Sequence, residues 1–147
     1  MDSYRINHSS TPAWRIARLR LGAAIHFIVA AGHILCIFFL EESLNAYGLW
    51  DKMTTVCHGI LWMPYFITAC LSIAFAIAGL YGLAESKDIT QLPFQRLAIA
   101  TIVGIYCIRA CIGIYWLSQQ FSYLEFFSTL TPCVLIWCYM PGIRHNL

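Results

Sequence analysis

The sequence predicts an all-α polytopic membrane protein: an antiparallel bundle of four transmembrane helices with both termini in the cytoplasm. Three observations carry that prediction. The 147-residue chain is 60% hydrophobic and only 11% charged, where an ordinary soluble domain carries roughly 25% charged residues. Its mean hydropathy is +0.68, and a soluble fold this small would lack the polar surface to cover itself. Four apolar stretches are each long enough for the ~30 Å hydrocarbon core at ~1.5 Å per helical residue. Lys and Arg fall unevenly around them. With the N-terminus inside, the inner segments hold Arg5, Arg15, Arg18, Arg20, Lys87, Arg96 and Arg144, and the outer ones hold Lys52 alone; that asymmetry sets the orientation.

Residues 1–20 form a basic cytoplasmic segment opposed only by Asp2. The first transmembrane helix is 21–40, which contains no formal charge. It is full length and runs into Glu41-Glu42 instead of a small-residue cleavage site, so it reads as a retained signal anchor. Residues 41–56 are a loop with a short interfacial helix around Leu44–Trp50, and Tyr47 and Trp50 suit the headgroup level. The second span, 57–83, is longer than the bilayer requires, which predicts a tilt or kink. Pro64 supplies the cause, since it cannot donate to the carbonyl of Ile60; the membrane segment proper then begins nearer Trp62. Ala69, Ser72, Ala76 and Gly79 recur at helical spacing and predict close approach of another helix.

Residues 84–96 are a polar loop in which Leu92-Pro93 stops one helix and Pro93 opens the next. The third span is 97–117, Ser118–Ser122 is a tight connection, and the fourth span is 123–140, ended by Pro141-Gly142. The membrane domain is thus 21–143, followed by a cytoplasmic tail, 144–147, with His145. Aligning Leu21 with Leu97 sets His33 opposite Arg109 and brings Met63-Pro64 close to Met140-Pro141, a pattern that two duplicated hairpins or chance would produce.

Ionisable residues at membrane depth are the candidate functional groups. Arg109 lies near the middle of the third span. A mid-helix arginine costs ~2.5–3.5 kcal/mol on the insertion scale and keeps its charge, so it should face the bundle interior. Tyr106 and Gly113 share its helical face. His33 and Arg109 both sit about 18 Å up their spans, by the helical rise; His58 and Glu125 begin spans that run the other way. Arg109, His33, His58, Glu125 and Tyr106 therefore form a predicted polar cluster in the outer half. Two roles stay open for Arg109: a lock pairing two helices through Glu125, or a site for an anionic or lipid-like ligand.

Haem and metal chemistry each require a ligand arrangement. Haem would need histidines on two helices at matched depth, and only His33 with His58 cross helices, at differing depths; His26 has no such partner. A metal site from His33, His58 and Glu125 lacks a recognised ligand spacing, and interhelical hydrogen bonding is the ordinary use of such histidines. The seven cysteines (Cys36, Cys57, Cys70, Cys107, Cys111, Cys133 and Cys138) form no C-x-x-C pair and read as small apolar residues. Trp62, Tyr65, Tyr115, Trp116, Tyr123, Phe126 and Phe127 read as an interfacial belt or an aromatic lining. No P-loop, dinucleotide fingerprint, metalloprotease or nucleophile-elbow motif occurs, and the basic N-terminus suits anionic headgroups better than nucleic acid.

The run Phe75-Ala76-Ile77-Ala78-Gly79-Leu80-Tyr81-Gly82-Leu83, then Leu92-Pro93, Arg96, Ile105-Tyr106 and Arg109, resembles a pattern in small four-helix bacterial inner-membrane proteins of uncharacterised function. The resemblance covers under half the chain and implies a bacterial cytoplasmic membrane location, with no chemistry attached. The leading expectation is a non-enzymatic accessory or binding protein with a pocket around Arg109. The alternatives are a small oligomeric transporter of an anionic or lipid-like solute and a histidine-dependent redox or enzyme subunit. No catalytic residue, cofactor or metal is expected. The expected partners are the lipid bilayer and a homo-oligomer or larger membrane complex, without nucleic acid.

Overall fold

A computed structural model describes residues 12–46, 48–119 and 121–144. The described residues form six helices and no strand. Four are long and apolar enough to cross a membrane: α1 (Ala13–Ile37), α4 (Met63–Glu85), α5 (Gln95–Gln119) and α6 (Tyr123–Arg144). Two short helices, α2 (Leu40–Ala46) and α3 (Trp50–Val56), connect α1 to α4. The chain packs mainly as two sequential hairpins, α1 against α4 and α5 against α6, and α1 joins them along α6. Of the neighbouring long helices, α4 and α5 touch least, although they are consecutive among the four.

Small residues and one large one explain the packing. On α4, Ser72 and Gly79 of the small-residue stripe are buried. The Ser72 hydroxyl donates to the Ala30 carbonyl at 2.9 Å, and a Cβ on Gly79 would lie 3.0 Å from the Phe27 ring. The core joins Leu19 of α1, Ile99 and Val103 of α5, and Leu135, Cys138 and Tyr139 of α6. At one end of the bundle the buried Arg15 of α1 pairs with Glu85 at the end of α4. Gln95, at the start of α5, donates to the other Glu85 oxygen at 2.8 Å. A Cβ on Gly142 of α6 would come within 3.2 Å of both Glu85 and Ile99, so four helix ends converge on one carboxylate.

Several boundaries differ from the sequence expectation. The first long helix starts at Ala13, ahead of the span expected from Leu21, and each cation of its first turns has a partner. Arg15 meets Glu85, the Arg20 Nε donates to Asp88 at 2.8 Å, and the Arg18 guanidinium stacks 3.8 Å over the Trp137 ring. Residues 57–62 lie outside any helix, with His58 and Gly59 in the left-handed region at φ 53° and 74°, and α4 begins at Met63, next to the later start near Trp62. Pro64 sits in the first turn of α4, where no helical donor is required, so it starts that helix and does not kink it. The 41–56 loop is two helices separated near Gly48, not one centred on Leu44–Trp50. Pro141-Gly142 does not end α6, which continues to Arg144; a proline in a last turn forfeits a single helical bond. Arg5, Tyr47 and His145 lie outside the described residues.

Candidate functional site

Where α4 and α5 part, the bundle holds a cavity of about 620 Å³ at mid-height. Val29 and His33 of α1 form its back wall, with Leu71, Ala74, Phe75 and Ala78 of α4 on one side. Ile102, Ile105, Tyr106 and Arg109 come from α5, and Ser128, Thr131, Pro132 and Leu135 from α6. Leu71 and Ala74 of α4, Ile105 of α5 and Thr131 of α6 are exposed among its lining residues, so the cleft opens to the side of the bundle. Its surface is overwhelmingly apolar, with a few polar groups gathered near Arg109. That composition is typical of sites for small apolar molecules.

Arg109 is held by α6. Its Nη1 and Nη2 donate to Glu125 Oε1 at 3.3 and 3.2 Å, and Nη2 also donates to the Ser128 hydroxyl. Both ends of the pair are only part-buried. Gly113, one turn beyond, makes the space: a Cβ there would lie 3.0 Å from Arg109 Nη1 and collide with Thr129. Pro132 lies inside α6. Lacking an N–H, it withdraws the helical donor from the Ser128 carbonyl at the cavity wall.

The two histidines of α1 are fixed by their own helix. His33 Nδ1 donates to the Val29 carbonyl at 2.8 Å, and its ring lies 5.1 Å from that of Phe75. His26 Nδ1 donates to the Gly22 carbonyl at 2.8 Å. A carbonyl can only accept, so in each neutral ring Nδ1 carries the hydrogen and Nε2 is the acceptor. His26 is fully buried, and the Tyr106 hydroxyl donates to its Nε2 at 2.8 Å. The Tyr139 hydroxyl lies 3.2 Å from His26 Nδ1 and donates to the Ala78 carbonyl at 3.1 Å. One imidazole thus joins α1, α4, α5 and α6 beneath the cavity, and Tyr106 belongs to both the network and the wall.

Arg109, His33 and Tyr106 of the predicted cluster line one cavity, and Glu125 meets Arg109 from α6. His58 does not join them: it is exposed on the turn before α4, so neither a His33–His58 pair nor a His33–His58–Glu125 group is formed. Among the described residues no three His, Cys, Asp or Glu side chains gather as a metal site. Sequence reasoning passed over Tyr139, the buried Arg15–Glu85 pair and the partners of His26. Near the same end, Arg20 and then Ser86 hydrogen-bond the Asp88 carboxylate and push its pKa down to about 2. That carboxylate stays charged at any physiological pH.

The chain matches no known family model, no curated protein and no solved structure.

Proposed function

We propose that the protein is a non-enzymatic binding or accessory protein of the bacterial cytoplasmic membrane, holding a lipid-like molecule in the cleft beside Arg109. The observation that carries this reading is the shape and chemistry of the cleft: about 620 Å³, apolar walls, a small polar group at mid-height, and a mouth that faces the space lipid would fill. The helices cross as an antiparallel bundle with both ends cytoplasmic, as the Lys and Arg distribution favours. In that orientation the Arg15–Glu85 end is inner. The aromatic pairs Trp62–Phe66, Tyr115–Trp116 and Phe126–Phe127 then lie at the outer headgroup level. The Arg109–Glu125 pair serves as lock and wall together, since it ties α5 to α6 and presents part of its surface to the cavity.

Mass spectrometry of extracted protein tests this. Wild type purified in mild detergent is expected to retain an apolar small molecule in near-equal ratio. Ala74→Trp, which fills the mouth from an exposed position, is expected to fold to the same yield and lose it. Identical extracts from the two proteins would reject the cleft as a binding site.

A further inference from the structure

The hydrogen-bonding groups of the cleft specify what kind of head it takes. We infer that the ligand is a neutral amphiphile whose head is a hydroxyl group, not an anion; this rests on the reading of the cleft as a lipid-like site. The first reason is charge. Arg109 is the cation that would attract an anion, but Glu125 and Ser128 already accept three of its four Nη hydrogens, and Glu125 offsets its charge. The pair is electrically neutral, and an anionic head would leave one uncompensated negative charge among apolar walls, which is unfavourable. A neutral hydroxyl adds none.

The second reason is donor and acceptor polarity. His33 spends its Nδ1 hydrogen on Val29, so Nε2 of the neutral ring is an acceptor. Tyr106 spends its hydroxyl hydrogen on His26 Nε2, so its oxygen has only a lone pair left to offer. Pro132 deprives the Ser128 carbonyl of its helical donor on the same wall. Three residues that line the cavity therefore carry an acceptor, while Arg109 has already given three of its five N–H bonds to Glu125 and Ser128. A ligand that brings an O–H matches this set. An ether of the same shape leaves the acceptors unmatched, and a phosphate ester brings its negative charge beside the Glu125 carboxylate to reach Arg109.

Competition between matched probes on the wild-type protein tests the inference without requiring any variant to fold. Hexadecanol, hexadecyl methyl ether and hexadecyl phosphate are titrated into the detergent-solubilised protein and followed by native mass spectrometry. A hexadecyl-substituted phenol in parallel separates an aromatic from an aliphatic hydroxyl. Hexadecanol or the phenol is expected to bind about tenfold more tightly than the ether, the scale of one well-placed hydrogen bond, and more tightly than the phosphate. In His33→Phe the hydroxyl advantage is expected to shrink while ether binding is retained. Phosphate binding at or above the hydroxyl probes would overturn the head-group assignment and leave the cleft a lipid site. Equal binding of alcohol and ether would also overturn it. Failure of every probe to bind would instead remove the cleft reading itself.

Discussion

At the scale of single residues, Tyr139 is the largest fully buried side chain among the described residues. It is clamped between two glycines on different helices. A Cβ on Gly82 would lie 2.5 Å from its hydroxyl oxygen, and a Cβ on Gly22 would lie 2.6 Å from its Cε2. Gly22→Ala and Gly82→Ala should each destabilise by ~1–3 kcal/mol, the usual cost of overpacking. Tyr139→Phe loses the bond to Ala78 and the contact with His26, for about 1–2 kcal/mol. The two glycine variants should then separate. Tyr139→Phe relieves the clash at Gly82, where the hydroxyl is the nearest atom, and does nothing for Gly22, where the ring is. Thermal unfolding in detergent reads this as partial rescue of Gly82→Ala only; simple additivity in both pairs would contradict the packing. Arg109 was legible from sequence because a cation in an apolar helix declares itself. Tyr139 and His26 were not: an aromatic just before Pro141 has the position of an interfacial residue, and only the approach of α1, α4 and α5 makes it a core residue.

Among the elements, the four long helices were legible from hydropathy, and their ends were not. Hydropathy counts charge as solvent-facing, so the turns that carry Arg15, Arg18 and Arg20 did not read as part of α1, and Glu85 read as loop. In the folded chain those charges are answered across helices. The two ion pairs at that end should behave oppositely. The side chains of Arg15 and Glu85 are 6% and 9% exposed, so Glu85→Ala strands a buried guanidinium and should cost ~3–5 kcal/mol. Replacing both partners, as Arg15→Met with Glu85→Leu, should recover most of that loss. Asp88→Asn, at an exposed pair, should barely move the unfolding temperature. The Asp88 contribution is fully present above its unperturbed pKa of 3.8 and disappears as the pH falls through about 2, because its folded pKa is the lower one. A stability loss from Asp88→Asn matching that of Glu85→Ala would show that exposure had been misjudged.

For the whole molecule, the decisive feature is the unequal packing of the helices. Two hairpins close tightly on themselves, α1 and α6 join them, and α4 stands off from α5. No hydropathy pattern distinguishes that seam from a closed one, since Leu71, Ala74 and Ile105 are apolar whether they face lipid, a ligand or another helix. The sequence could therefore suggest that Arg109 and His33 share a depth, but not that a cavity lies between them. The most direct test of the cleft as a lipid site is where a membrane amphiphile reacts. A photoactivatable long-chain alcohol is equilibrated with the protein in bilayers, crosslinked, and mapped by peptide mass spectrometry. Adducts should concentrate on residues 71–78 of α4 and 102–109 of α5, and Ala74→Trp should abolish that concentration while sparing labelling at exposed sites such as Ile28. Labelling spread evenly over the lipid-facing residues of all four helices, unchanged by Ala74→Trp, would contradict the account.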